Sequence, residues 1–371
     1  MADKEWYRIK NIDDVDSPAL VVYPERVKEN IRIIKTMIDD VSRLRPHIKT
    51  HKSKEVCELL LQEGITKFKC ATIAEAELLG SCSAPDVLLA YQPVGPKLKR
   101  FIKLIEAFPS TRFSCLIDNA TSAESFSSAA TEPGVTIPLF VDLNAGMNRT
   151  GILPGDAAVQ LYETAAGMNG LKPSGFHIYD GHIRHAELIK RKEESDVVFD
   201  KVQEMKTQLI EKGFEEPIIV AGGTPTFPIH AARKNVECSP GTFVYWDAGY
   251  LSNYTEQSFL PAALVITRII SMPGPTKLCM DLGHKAVAAE NELSNRVIFL
   301  NASELIPVSQ SEEHLVVEVP ANHGYKIGDV FYALPVHICP TCAWYEKAVV
   351  IQNGIASGEW KIAARDRMIT I

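Results

Sequence analysis

Eight short apolar runs between residues 43 and 238, each followed by a segment of helical pattern, predict a (β/α)8 barrel of the TIM type. A later stretch of short strands and turns predicts an all-β domain C-terminal to it. The third observation is where the polar clusters fall. They follow the apolar runs, and the C-terminal ends of the strands are the face of a barrel that carries catalysis. A doubly wound open sheet competes for the same alternation.

Pro18-Ala19-Leu20-Val21-Val22-Tyr23 reads as a brief first strand, and Pro24 then opens a helix with Val27, Ile31, Ile34 and Ile38 on one stripe. The barrel strands are expected near 43–48, 67–71, 86–90, 112–117, 137–143, 172–178, 217–221 and 235–238. Segments such as 55–62, 97–107, 157–166 and 189–211 carry helical patterns with little Gly or Pro inside. Beyond residue 255 strands are expected at 262–270, 278–281, 296–300, 314–319, 330–334 and 348–351. Pro273-Gly274, Asn322-His323-Gly324 and Asn353-Gly354 punctuate them. The domains are therefore drawn at 18–255 for the barrel and 256–371, joined by 1–17, for the β-rich part.

A chain of 371 residues with 46% hydrophobic and 23% charged residues is an ordinary globular composition. The net charge of −7 gives no reason to expect nucleic acid or an anionic membrane, so a small molecule is the expected partner. The N-terminus carries acids early and lacks the apolar core of a signal peptide. The most apolar stretch, 259–270, is broken by Pro261, Thr267 and Arg268 and is too short to span a bilayer. Eight cysteines at irregular spacings read as free thiols of a reducing compartment, and a cytoplasmic location follows as the expectation.

The segment Arg45-Pro46-His47-Ile48-Lys49-Thr50-His51-Lys52 organises the chemistry. If extended, it places Arg45, His47, Lys49 and His51 on one face. A lysine amine among cationic neighbours is available as a nucleophile toward an aldehyde. A solvated basic loop is the alternative, and the octapeptide alone does not choose between Lys49 and Lys52. Gly222-Gly223-Thr224 after the seventh strand and Pro240-Gly241-Thr242 after the eighth offer backbone amides of the kind that bind phosphate. Either is otherwise a tight turn. A phosphate site with an activated lysine points to pyridoxal 5′-phosphate (PLP), with a cofactor-free Schiff-base enzyme of sugar phosphates as the competitor.

His337 and Cys339 are two apart after the strand 330–334. If extended, both face the same way and form an imidazole–thiolate pair suited to zinc or a similar divalent ion. Cys339 and Cys342 also read as a redox pair, as half of a structural zinc site, or as packed thiols. Of the histidines after the sixth strand, His182 lies nearer the strand end than His185. Tyr179 and Asp180 are placed there to reach a cofactor ring.

Together, Arg-Pro-His-x-Lys-x-His-Lys at 45–52, Gly-Met-Asn-Arg-Thr-Gly at 146–151, Tyr-Asp-Gly-His at 179–182, Gly-Gly-Thr-Pro-Thr at 222–226 and Pro-x-His-x-Cys at 335–339 resemble fold-type III PLP enzymes. The closest group is the D-threonine aldolase and D-serine dehydratase family, relatives of alanine racemase. The resemblance runs from about residue 18 to the C-terminus. It implies that Lys49 forms the Schiff base and that Arg149 contacts the cofactor 3′-oxygen. Tyr179 would bond the pyridine nitrogen, and Gly222, Gly223 and Thr224 would hold the phosphate. It makes His337 and Cys339 ligands of a divalent metal (zinc, manganese or magnesium) beside the cofactor, and it implies a homodimer. The expected reaction is metal-assisted retro-aldol cleavage of a β-hydroxy-D-amino acid, D-threonine giving glycine and acetaldehyde, with His182 as the base. The alternative is dehydration of D-serine or D-threo-3-hydroxyaspartate, in which Lys49 removes the α-proton and a 2-oxo acid and ammonia result. An amino-acid racemase and a non-catalytic PLP-binding protein are the remaining readings.

Overall fold

The computed structural model describes residues 5–131 and 133–371. Its first strand, β1 (Ala19–Val22), pairs outside the strand–helix series. The next seven are β2 (Lys67–Cys70), β3 (Asp86–Leu89), β4 (Arg112–Ile117), β5 (Ile137–Leu143), β6 (Leu171–Ile178), β7 (Ile218–Ala221) and β8 (Val236–Cys238), and they form one parallel sheet in sequential order. Each lies where an apolar run was expected, because a parallel strand covered on both faces reads as a short continuous apolar segment. Helices alternate with them. In the helix Pro96–Ala107, for example, Pro96 takes the first position, and Leu98, Phe101, Ile102 and Leu104 are buried at helical spacing.

The first expected barrel strand, 43–48, is not a regular strand. Leu44 and His47 make isolated parallel bridges to Cys238 of β8 and Lys69 of β2, one at each edge of the sheet. The Arg45 amide donates to Cys238 O at 2.8 Å, His47 to Pro240 O at 2.9 Å, and Lys69 to Pro46 O at 2.8 Å. Pro46 has no N–H to give, and short 3-10 turns flank the segment at Val41–Arg43 and Ile48–Thr50, so a ladder cannot extend. The expected alternation therefore stops at His47. Lys49 is carried by a turn, and His51 does not share its face: it is buried, its ring is edge-on to Tyr245, and burial pushes its pKa down to about 3.

Register places one residue from each parallel strand on a common face. Near the strand starts this face carries Lys67, Asp86 and Arg112, the first residues of β2, β3 and β4. Arg45 is fully buried against this end, with Nε 2.7 Å from Glu237 and Nη1 2.5 Å from Asp86. Lys67 also pairs with Glu237, and Arg112 with Asp86 at 2.9 Å. Leu88, Leu116, Phe140 and Val220 form an apolar cluster on the same sheet. Asp142 and His177, directly opposed on β5 and β6, lie toward the strand ends.

The second sheet contains β1 with β9 (Ala263–Gly274), β10 (Lys277–Met280), β11 (Val297–Phe299), β12 (Ile306–Gln310), β13 (Leu315–Glu318), β14 (Val330–Pro335), β15 (Lys347–Gln352) and β16 (Ile355–Lys361). It is antiparallel except where β1 runs parallel to β15. Tyr7, Ile9, Val15, Val21, Leu264, Ile266, Tyr332, Leu334 and Ile351 pack into its core, so the N-terminal segment belongs here. Two compact units result. One comprises residues 34–49, 57–241 and 366–371, and the other residues up to 33, 50–56 and 242–365. These divisions differ from boundaries drawn at 18 and 255, since β1 and residues 242–365 group with the second sheet.

Burial alone would raise the Asp86 carboxyl, but Arg45 and Arg112 hold it below its ordinary value. A depressed carboxylate contributes stability above its unfolded pKa, about 4, and loses it as pH falls through the folded value. Replacing Arg45 with Met is expected to cost about 3–5 kcal/mol, as when one member of a buried ion network is removed. Urea midpoints measured from pH 6 down to 3 should fall for the native chain and fall less steeply for Arg45→Met.

Candidate active site

The polar end of the parallel sheet is built from side chains that the strand register aligns. His177 Nδ1 lies 2.7 Å from Asp142 Oδ1, and both are buried. Burial lowers the His177 pKa and the hydrogen bond to Asp142 only partly opposes this, so the ring is neutral with Nδ1–H donating to the carboxylate. Nε2 is then an acceptor, and Lys69 Nζ lies 3.5 Å from it and 3.4 Å from Gly222 O. Lys69 is 2% exposed. Burial first, and the charge of Lys49 second, bring its pKa down to about 7, against the pull of Asp180 and Asp142.

Tyr179, just past the end of β6, is the hub of this cluster. Lys49 Nζ is 5.7 Å from its ring centroid, Lys69 Nζ 5.6 Å, and the Arg149 guanidinium carbon 5.0 Å, all within range of the cation–π attraction. Lys49, Lys69, Arg149, His177 and Tyr179 line a cavity of about 200 Å³, with His47, Ala71, Ala90, Tyr91 and Thr150 completing the wall. Among the described residues no carboxylate lines it. Three basic side chains around one aromatic ring form a setting for a flat, anionic group.

His182, past the end of β6, packs against the loop after β5 and is not among the residues that line this cavity. Asn144 Oδ1 accepts the amides of Gly146 and Asn148 at 3.0 Å each, which folds the loop back on itself. Gly146 has φ +112°, and a Cβ there would lie 2.8 Å from His182 Nε2, so the exposed imidazole packs against a position that only glycine fits.

After β7, Gly222 turns the chain at φ +75°. Its amide donates to Ile178 O at 2.9 Å, so it is not the open donor expected of it, and the Gly223 amide lies 3.4 Å from Thr226 Oγ1. What Gly222 supplies is room: a Cβ would meet His230 Cδ2 at 2.5 Å and Thr226 Oγ1 at 2.9 Å. Those two groups are engaged by the buried Asp180, whose Oδ2 lies 2.8 Å from His230 Nε2 and whose Oδ1 accepts from Thr226 at 2.7 Å. Thr224 Oγ1 accepts the Gly241 amide at 3.1 Å and ties the two Gly-rich turns together.

In the β-rich unit, His337 caps the helix Ile338–Trp344 and Cys339 lies in its first turn, so the pair is not extended as expected. The two are nevertheless brought together. Burial disfavours the His337 charge, but a hydrogen bond to Cys339 and the carboxylate of Glu290 raise its pKa to about 9. Cys339 Sγ is 3.1 Å from Thr50 Oγ1 and 3.6 Å from Thr242 Oγ1. Buried Asp247 accepts the Ile338 amide at 3.1 Å and fixes this turn; burial lifts its pKa to about 6. Among the described residues no group of three or more His, Cys, Asp or Glu is placed to hold a metal. A larger open cleft of about 730 Å³ in the same unit is lined by Asp14, Asp16, Glu346 and Glu359 against the cation Lys347, which pairs with Glu359, a mainly acidic surface ill suited to a phosphate or carboxylate ligand.

Sequence reasoning missed Lys69, Asp142 and Asp247, and it placed His177 at the end of the sixth strand without giving it a role. Lys67-Phe68-Lys69-Cys70 reads as a strand with a solvated basic side, and only pairing of both sheet edges turns Lys69 inward. Arg45, expected to tune Lys49, belongs instead to the ion network at the strand starts.

The fold and this site define an alanine racemase-type α/β unit, and residues 22–248 match the alanine racemase N-terminal domain. The chain belongs to that family, which implies PLP as its cofactor. Residues 262–351 match a family described as a serine dehydratase domain. The chain is 27% identical to a D-threonine aldolase of an Arthrobacter species over 359 residues, covering 95% of this chain and 93% of the relative. It is 24% identical to a 3-hydroxy-D-aspartate aldolase of Paracoccus denitrificans (strain Pd 1222), with the same coverage. The crystal structure of D-threonine aldolase from Filomicrobium marinum superposes with a TM-score of 0.87 at 25% identity, covering 96% of this chain and 97% of that one. No helix among the described residues is long and apolar enough to cross a membrane.

The Gly222 geometry gives a direct test. Gly222→Ala should lose roughly 1–3 kcal/mol of stability through backbone strain and displacement of His230, read as a lower urea midpoint. It should also weaken PLP binding, followed by the absorbance of the bound cofactor.

Proposed function

We propose that the protein is a PLP- and divalent-metal-dependent lyase of β-hydroxy-D-amino acids, cleaving a D-threonine-type substrate to glycine and an aldehyde. The observation that carries this reading is the carboxylate-free cavity in which Lys49, Lys69 and Arg149 surround Tyr179. The near full-length similarity to named aldolases supports it.

Lys49 is the amine that binds the cofactor aldehyde, and the Arg149 guanidinium holds the 3′-oxygen. Tyr179 presents its hydroxyl to the pyridine nitrogen. The backbone of Gly223 and Thr224 holds the phosphate, while Gly222 shapes the turn. Bound PLP supplies an electron sink for the pair released at Cα, and a divalent ion supplies Lewis acidity toward the β-hydroxyl. His337 and Cys339 are the ligands for that ion. Two protein ligands leave positions for water and substrate, which fits an open site rather than a closed structural one. To hold such an ion His337 would have to be in its neutral form. His182, held by its contact with Gly146, accepts the β-hydroxyl proton at an imidazole nitrogen, and loss of that proton drives Cα–Cβ cleavage.

The match of residues 262–351 to a serine dehydratase domain favours a second reading. Lys49 Nζ then takes the α-proton, the β-hydroxyl leaves, and D-serine or D-threo-3-hydroxyaspartate yields a 2-oxo acid and ammonia. A racemase would need the α-proton returned to the opposite face, and a non-catalytic PLP carrier leaves His337 and Cys339 without a task. The resemblance further supports a homodimer, and eight free cysteines support a reducing, cytoplasmic setting.

Incubation with D-threonine and D-serine, followed by product identification, decides the reaction: glycine plus aldehyde is expected, and a 2-oxo acid plus ammonia would replace the aldolase with the dehydratase. Lys49→Ala should lower turnover by roughly a thousandfold or more, the scale of deleting a covalent nucleophile. Full activity of that variant on every β-hydroxy-D-amino acid tried would sink the cofactor assignment. Chelation by EDTA should abolish turnover, and added zinc, manganese or magnesium should restore it. Activity undiminished by EDTA, with no metal found bound, would leave His337 and Cys339 structural.

A further inference from the structure

The reaction above leaves the buried Lys69 without a task. Lys69 Nζ touches the Gly222 carbonyl of the turn next to the phosphate-holding backbone and the Nε2 of His177, whose opposite nitrogen is fixed on Asp142. Its third neighbour is the ring of Tyr179. Two acceptors and a π-face suit the three N–H bonds of an ammonium, whereas a neutral amine would leave its lone pair facing the ring. Against the ammonium stand near-complete burial, Lys49 on the turn 48–50, and Arg45 on the segment before it. In its favour stand Asp142 on β5 and Asp180 after β6. The opposing effects leave the amine near half-protonation around pH 7, so an added negative charge decides its state.

We propose that Lys69 couples entry of an anionic cofactor to the uptake of one proton, and that the ammonium so formed is a positioning residue that holds the Gly222 carbonyl and His177 in place beneath the loaded site. This rests on the PLP reading, since it is the cofactor's anionic groups that draw the proton in. The proton comes from solvent, and no bond other than N–H forms.

The coupling is measured by calorimetric titration of the cofactor-free protein near pH 8, where an amine poised at about 7 is roughly nine-tenths neutral. The probe is 4′-deoxypyridoxine 5′-phosphate, which lacks the aldehyde and so separates binding from covalent attachment to Lys49. Heats recorded in buffers of low and high ionisation enthalpy give the number of protons taken up. Protonation of the probe itself contributes to native and variant alike, so the difference between them is the readout. The native chain is expected to take up close to one proton more than Lys69→Met, which has no titrating group, and than Lys69→Arg, which is already charged. Equal uptake by the native chain and a variant that binds the probe would overturn the proposal and leave the cofactor assignment standing. If the native chain binds neither the probe nor PLP, the cofactor assignment falls and takes this proposal with it. Should Lys69→Met fail to fold, the Lys69→Arg comparison decides by the same criterion.

Discussion

The buried guanidinium of Arg45 is the constraint on which the α/β unit depends. Segment 44–47 lacks the ladder of a regular strand, and it meets β8 and β2 through single bridges and a few amide bonds. The side chain of Arg45, clamped between Glu237 of β8 and Asp86 of β3, supplies what the backbone does not. Isolated, such a buried cation would be costly; two carboxylates, themselves shared with Lys67 and Arg112, make the network tolerable. Its consequence is felt at the other end of the segment. With residues 44–47 pinned to both sheet edges, the next turn has one direction in which to run, and that turn carries Lys49.

The same face of the sheet thus separates two kinds of charge. At the strand starts cations and carboxylates compensate one another. At the strand ends Lys49, Lys69 and Arg149 face a cavity whose lining holds no carboxylate, while Asp142 and Asp180 are engaged behind it by His177 and by His230 with Thr226. A local excess of positive charge in a half-enclosed space is a standing cost to the folded chain, and a bound anion relieves it. Such a cost is retained where binding needs it, which is why the cavity and not the larger acidic cleft carries the functional reading.

Much of this was legible in the sequence because parallel strands are short, apolar and bounded by turns. All seven regular strands of the first sheet could be placed to within a residue or two. What failed were features decided by distant pairing. Ala19–Val22 looks like the first strand of the α/β series, yet its partners are β9 and β15, hundreds of residues away. Alternation at 45–51 was a sound rule applied one turn too far, since Pro46 and the 3-10 turn at 48–50 end the extended run. Lys69 was invisible because a lysine every second residue is the ordinary mark of a solvated strand face. The His337–Cys339 spacing pointed to a pair for a reason that does not hold, strand alternation; the cap and first turn of a helix bring the two together instead, and Pro340 is accommodated there because first-turn amides need no intrahelical partner.

Cleavage and dehydration differ in which proton leaves first, and the proposed reading assigns a basic group to each. Lys49 shares the cavity with Tyr179, so its amine is the one suited to a proton on the substrate α-carbon. His182 lies outside the buried layer, packed on Gly146, where an imidazole is suited to a hydroxyl at the next carbon. Removing a proton helps only if the bond that then breaks stands where its electrons can enter the cofactor ring, so orientation of the substrate outweighs the intrinsic basicity of either group. Orientation in turn depends on what holds the β-hydroxyl. A substrate gripped through that oxygen loses its proton there and breaks Cα–Cβ, whereas one gripped mainly through its carboxylate presents Cα–H to Lys49. The fold is therefore compatible with cleavage and dehydration alike, and on the proposed reading the groups that contact the hydroxyl, rather than Lys49, decide between them.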